Sequence, residues 1–146
     1  MAVKEIGVTE AHRLLQQGEG CIYLDVRSVP EYQNGHPEGA VNVPLLDVDP
    51  VQQRMLPNQD FLVVVSAAFP KESRLLVGCQ MGGRSAKAAE VLAEAGYTDV
   101  TNVKGGFGGV YDRATGLVVE PGWLPSGLPV EQGNPQGRAY ADLKKK

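Results

Sequence analysis

Two short apolar runs, each followed by a turn and a helical stretch, constrain this chain more than any other feature. They are Cys21-Ile22-Tyr23-Leu24-Asp25-Val26 and Arg74-Leu75-Leu76-Val77-Gly78. Both are too short for a helix and too continuously apolar for a half-exposed strand, so both read as strands buried on two faces. Val100 to Val103 reads as one more short strand. Helical patterns alternate with them. A short strand near Lys4 leads into a helix capped by Thr9, with Ala11, Leu14 and Leu15 on one face and Gly18 and Gly20 at its end. Ser28 and Glu31 have capping-box spacing and predict a short helix to about Asn34. Gly35 to Gly39 reads as a turn into a strand at Ala40–Val43. A helix from Asn58 or Asp60 carries Phe61, Leu62 and Val65. Ser85 to Ala95 is the clearest helix, with Gly96 at its carboxyl cap. This order predicts an α/β fold with a mostly parallel central sheet and helices on both faces. Residues 44–58 read as irregular.

Composition narrows the function classes. Net charge is −3 and the only basic run is Lys144 to Lys146, so nucleic acid is not an expected partner. No apolar stretch reaches the roughly 20 residues needed to cross a bilayer, so no membrane association is expected. The start, Met1 to Glu5, has no apolar signal segment, which predicts a cytoplasmic protein. Two cysteines and two histidines without paired spacing argue against a zinc site; no metal and no cofactor are expected. Cys21 and Cys79 read as reduced thiols with different roles. Glycine and proline together make up about a fifth of the chain, against a usual share near 12%. The surplus is concentrated in residues 105–137, with 9 glycines and 4 prolines, which read as a turn-rich wrap.

The chemistry points to Gly78-Cys79-Gln80-Met81-Gly82-Gly83-Arg84-Ser85. A cysteine follows a parallel strand, and a helix begins after it. Ligands sit at the carboxyl ends of such strands. A helix amino-terminus presents unpaired N–H groups and the positive end of its dipole. Gly82 and Gly83 let the backbone curl so that successive amides converge, forming an anion nest. Such surroundings can lower a thiol from near 8.5 to roughly 3.5–7.5. Arg84 adds a permanent positive charge. A buried structural cysteine would not need these neighbours.

Strand–Cys-x-x-Gly-x-Arg-Ser–helix resembles the active loop of the rhodanese domain. Leu24-Asp25-Val26-Arg27, Glu31-Tyr32 and Gly35-His36-Pro37-Glu38-Gly39-Ala40-Val41-Asn42-Val43-Pro44 resemble the family's first signature. Leu92-Ala93-Glu94-Ala95-Gly96-Tyr97, Val100 and Val103-Lys104-Gly105-Gly106 match the stretch after the active helix. Gly122-Trp123 and Gly127-Leu128-Pro129-Val130 resemble its terminal signature. The resemblance implies a rhodanese-like fold and sulfur transfer through a persulfide on Cys79. A small anionic sulfur donor such as thiosulfate would load it. Cyanide or a thiol, including a thiol protein, would discharge it. Gln80, Met81, Gly82, Gly83, Arg84 and Ser85 would form the active loop, their amides holding the outer sulfur. Asp25 and Arg27 would support it. The alternative reading is a persulfide carrier or sulfide-sensing module with little turnover. Phosphatases and arsenate reductases of this fold carry one more loop residue, so the six-residue loop favours sulfur. Gln80 and Met81 are uncharged where thiosulfate-preferring relatives often carry basic residues, which fits a persulfide donor about as well.

The remaining candidates read as structural. Arg27 and Glu31, four apart, are expected to pair with each other. His36 is expected to make a structural hydrogen bond, and Trp123 to anchor the wrap. Residues 111–121 look like an insertion, with Thr115-Gly116 suggesting a hairpin near the active loop. Residues 1–132 read as one domain and 133–146 as a loose polar tail.

Overall fold

The computed structural model describes residues 3–49 and 51–145. Met1, Ala2, Pro50 and the last of the terminal lysines, Lys146, lie outside the described residues. In chain order the elements are β1 (Lys4–Ile6), α1 (Val8–Gln16), β2 (Cys21–Asp25), α2 (Val29–Asn34), β3 (His36–Pro37), β4 (Val41–Asn42), β5 (Leu46–Val48) and β6 (Met55–Pro57). There follow α3 (Phe61–Ala68), β7 (Arg74–Gly78), α4 (Gly83–Glu94), β8 (Asp99–Val103), β9 (Val110–Tyr111), β10 (Val118–Glu120), β11 (Val130–Glu131) and α5 (Tyr140–Leu143). Five strands form the central sheet in the order β1-β8-β7-β2-β4, and every pairing in it is parallel. Among the described residues no helix is long and apolar enough to cross a membrane.

The continuous apolar strands are explained by two cores, one on each face of the sheet. Successive side chains of a strand point to opposite faces. Leu24, Leu75 and Val77 therefore pack with Phe61, Val64 and Val65 of α3 and with Ala88, Ala89 and Leu92 of α4. Tyr23 and Leu76 pack on the other face with Val8 and Ala11 of α1, Tyr32 of α2, and Phe107 and Trp123 from the wrap. Trp123 is buried, and its Nε1–H donates to the Pro129 carbonyl at 2.7 Å. It holds the wrap against the second face.

The structure corrects four local expectations. First, α1 starts one residue before Thr9, with Gly7 as its N-cap and no side-chain cap. Second, residues 44–58 are not irregular throughout: β5 and β6 pair antiparallel, Leu46 opposite Pro57 and Val48 opposite Met55. Pro44, Pro57 and the intervening aspartates hide the alternation that marks a hairpin. Third, α4 starts at Gly83 instead of Ser85, because Gly82 (φ 104°) turns the loop directly into the helix. Fourth, the segment after Gly133 is not loose. Arg138 offers its carbonyl to the Asn42 N–H at 2.9 Å, covering the open edge of β4. Tyr140 and Leu143 of α5 are buried in the first core, and Asn58 Nδ2 donates to Tyr140 Oη at 3.0 Å. Two apolar residues in a four-residue helix are too few for the pattern to show in sequence.

If α5 is part of the core, Leu143→Ala lowers unfolding free energy by about 2–5 kcal/mol, the usual cost of truncating a buried leucine. Urea denaturation of the wild type and the variant measures it. An unchanged midpoint would mean that the segment contributes nothing to the fold.

Candidate active site

The site forms where the sheet changes direction. From β2 the chain proceeds toward β4 at one edge, and from β7 it proceeds toward β8 on the other side. The loops leaving these two adjacent strands diverge and leave a crevice at their carboxyl ends, the usual ligand position of an open parallel sheet. Asp25 and Gly78 are register partners there. The Val26 N–H donates to the Gly78 carbonyl at 3.0 Å, so the two loops start from a common point. Cys79 comes next and is buried.

The loop wraps Cys79 with backbone amides. The Gly82 N–H donates to Cys79 Sγ at 3.1 Å and the Ser85 N–H at 3.3 Å. The left-handed backbone at Gly82 aims its own amide at the sulfur and starts α4, whose first turn supplies the second donor. The N–H groups of Gln80, Met81, Gly83 and Arg84 meet no protein acceptor among the described residues. Of the six amides from Gln80 to Ser85, two thus contact the thiol. The loop is braced from behind by the chain after β8. Phe107 N–H donates to the Cys79 carbonyl at 2.7 Å and Gly108 N–H to the Gln80 carbonyl at 2.9 Å. Gly106 makes this approach possible. A Cβ there would sit 2.2 Å from the Cys79 carbonyl oxygen.

Two arginines flank the loop, and each is neutralised by a carboxylate. Arg27 does not pair with Glu31, contrary to the sequence expectation. Its Nη2 meets Asp25 Oδ2 at 2.7 Å in a buried ion pair, and its Nε donates to the same carboxylate. Burial alone would lower the guanidinium's pKa, but the adjacent Asp25 charge and hydrogen bonds raise it instead. Nη2 also donates to the Gly35 carbonyl at 2.7 Å, and Nη1 to Gln80 Oε1 at 3.2 Å. Asp25 therefore reaches the active loop through Arg27. Glu31 instead takes both terminal nitrogens of Arg84, at 2.7 and 3.0 Å, and also completes the capping box with Ser28. Burial works to raise the Glu31 pKa, but hydrogen bonds from Arg84 and Ser28 outweigh it and hold the carboxyl at about 2. The Arg84–Glu31 contact spans 53 positions. A four-residue spacing was the only pairing signal visible in sequence, and it pointed to the wrong partner, because Arg27 lies before the Ser28 N-cap and outside α2.

Ser85 is held from the opposite side. Its hydroxyl donates to Asn102 Oδ1 at 2.6 Å, and Asn102 Nδ2 donates to Glu5 Oε2 at 3.0 Å. With the hydroxyl committed to β8, Ser85 meets the sulfur through its backbone alone. Met81 is exposed at the loop's outer side. His36 is buried: its Nδ1 lies 2.6 Å from the Tyr32 carbonyl, and its ring stacks on Tyr32 at 3.6 Å. It is structural. Cys21 and Cys79 are both free thiols. Cys21 pairs in register with Arg74 at the start of the strands, at the end of the sheet away from Cys79. In the 111–121 segment, β9 and β10 form the expected hairpin. Its base meets the bracing segment, since a Cβ on Gly105 would lie 2.1 Å from the Pro121 carbonyl oxygen. Tyr111, Leu117, Val118 and Val119 are exposed.

Comparison with known proteins agrees with this architecture. The rhodanese-like domain family matches residues 8–112. The chain belongs to the rhodanese-like domain family. Thiosulfate sulfurtransferase 16, chloroplastic, of Arabidopsis thaliana is 39% identical over 126 residues, covering 86% of this chain and 91% of that protein. Thiosulfate sulfurtransferase 18 of the same plant is 44% identical over 107 residues, covering 72% of this chain and 76% of its own. Among solved structures, the crystal structure of Rv0390 from M. tuberculosis superposes with a TM-score of 0.74 at 29% identity, covering 91% of this chain and all of that one. These relatives place the rhodanese-like domain described here in a sulfurtransferase family. They also correct the expectation of a cytoplasmic protein. A relative aligned over most of this chain is named chloroplastic, so a start without an apolar segment does not mark a cytoplasmic chain.

Two outcomes check the geometry of this rhodanese-like site. Gly106→Ala puts a side chain into the Cys79 carbonyl and a non-glycine residue at φ 58°, a strain of roughly 1–3 kcal/mol. Its alkylation rate at Cys79 should fall below that of the wild type, and an unchanged rate would show that the bracing segment does not position the loop. The Glu31 carboxyl titrates near 2 in the folded chain, below the ordinary 4.5. Its pair with Arg84 therefore stabilises fully above the ordinary value and is lost as pH falls toward 2. Glu31→Gln should flatten the fall in stability across that acid window, as measured by urea unfolding at stepped pH. A slope identical to the wild type's would show that the pair adds nothing there.

Proposed function

We propose that this chain is a sulfurtransferase working through a persulfide on Cys79. The observation that carries this reading is the convergence of the Gly82 and Ser85 amides on a buried cysteine sulfur, in a six-residue loop at the sheet's switch point. Relatives named thiosulfate sulfurtransferases support the reaction class. The Cys79 thiolate attacks the outer sulfur of a donor such as thiosulfate. The donor's sulfur–sulfur bond breaks, sulfite leaves with that bonding pair, and Cys79 carries a persulfide. A nucleophile then attacks the outer sulfur, and Cys79 departs as thiolate. Splitting one transfer into two displacements is covalent catalysis.

The loop's part is electrostatic. The persulfide's negative charge rests on its outer sulfur, beyond the two amides that already meet Sγ. The N–H groups of Met81, Gly83 and Arg84 meet no protein acceptor among the described residues and supply preorganised donors for that charge. Arg84, paired with Glu31, braces the loop and does not act as a free cation. Asp25 and Arg27 hold Gln80, and through it the start of the loop.

Cys79→Ala should lose sulfur transfer from thiosulfate to cyanide, and the wild-type chain treated with thiosulfate should gain one sulfur atom at Cys79 by mass spectrometry. Full activity in the alanine variant would overturn the reading. A loaded chain with no turnover would instead mark a persulfide carrier.

A further inference from the structure

Beside the active loop lies a cavity of about 250 Å³, bordered by Arg27, Glu31, Asn34, Gly35, Gln80, Phe107 and Leu124; the Glu31 carboxylate is taken up by Arg84 and Ser28. Gln80 directly follows Cys79, and the Phe107 N–H donates to the Cys79 carbonyl, so the cavity is bordered by residues that flank Cys79. Its character is unusual for the anteroom of a small inorganic dianion. The two guanidiniums that flank the loop are each spent on a carboxylate. One wall is apolar: the Phe107 ring, over which the Arg27 guanidinium stacks at 4.5 Å, and the exposed Leu124.

Among the polar groups of the lining, Arg27 has an unmet donor. Arg27 is buried and has five N–H groups. Asp25 and Gly35 take those of Nε and Nη2, and Gln80 takes one on Nη1. The second N–H on Nη1 has no acceptor among the described residues, and Arg27 lines the cavity. A buried donor of a charged group left unmet costs free energy, and a carbonyl or carboxylate oxygen entering the cavity satisfies it. Gln80, whose own oxygen accepts from that nitrogen, fixes its direction.

We propose that this cavity binds the organic part of a small acceptor thiol, one of about cysteine size that bears a carbonyl or carboxylate oxygen. The oxygen meets Arg27 Nη1, the carbon chain lies against Phe107 and Leu124, and the sulfur reaches Cys79. The volume falls below the roughly 300–1,000 Å³ of drug-sized sites, which suits a ligand this small. The inference rests on the sulfurtransferase reading. The step it serves is the discharge: the acceptor thiolate attacks the outer sulfur of the Cys79 persulfide, the bond between that sulfur and Sγ breaks, and Cys79 leaves with the electron pair as thiolate. The product is the acceptor's persulfide, with no external oxidant or reductant.

Single-turnover discharge tests it. The chain is loaded with thiosulfate, freed of donor and mixed with cyanide, cysteamine or 3-mercaptopropionate. Cyanide has no organic part to bind, and cysteamine lacks the oxygen. Leu124→Asp replaces an exposed apolar wall with a carboxylate, so folding is not at stake. In this variant the second-order rate with 3-mercaptopropionate, taken as a ratio to that with cyanide, should fall about tenfold, the scale of losing one apolar contact in a specificity pocket. The ratio for cysteamine should fall less, and Leu124→Ala should show a smaller loss of the same kind. Equal ratios in wild type and both variants would overturn the cavity assignment while leaving the persulfide mechanism intact. A chain that takes no sulfur from thiosulfate at Cys79 overturns both.

Discussion

The buried ion pair of Asp25 and Arg27 sits where the two halves of the sheet diverge, and the site is organised around it. A charge pair taken out of water must have its remaining donors and acceptors met, or its burial costs more than its attraction returns. That requirement pulls several segments together. Arg27 reaches the Gly35 carbonyl after α2 and the Gln80 side chain at the start of the active loop. Asn42 of β4 donates to the carbonyls of both Asp25 and Arg27. Three loops from three parts of the chain thus share one charged centre. The pair's value lies in geometry more than in net stability, because an apolar pair of the same shape could fill the space without aligning these loops.

Around that centre the surroundings of Cys79 are built from backbone. Cys79 receives its two hydrogen bonds from amides, and the loop is braced by further amides from the segment after β8. Amides cannot move independently of the chain, so the donors are set before any substrate arrives, which is what preorganised electrostatic stabilisation requires. The side chains of the loop have other work. Arg84 and Ser85 are tied outward, to Glu31 and Asn102, and stiffen the ends of the cradle. Gln80 leans toward Arg27, and Met81 faces solvent.

This division explains what could be read without coordinates. Cys79, Gly82 and the helix after them were legible because a cysteine between a parallel strand and a helix amino-terminus has few physical uses. The α/β class was legible because apolar strands of five or so residues need cover on both faces. The site's charge balance was not legible. Arg27 and Glu31 have helix-neighbour spacing, yet each finds its partner elsewhere, at Asp25 and across 53 positions at Arg84. The docking of Arg138 and Tyr140 escaped for a similar reason: their partners Asn42 and Asn58 lie far back in the chain.

By itself, the sequence determined the local geometry: strand, glycine-curled loop, helix, and a cysteine at the junction. Those follow from backbone preferences and hydrophobic period, which act over a few residues. Tertiary structure alone decided which charges meet, which amides reach the sulfur, and that a cavity with one apolar wall borders the loop. Each of these depends on residues brought together across the sheet, and contacts of that range are set by packing and by the need to satisfy buried polar groups.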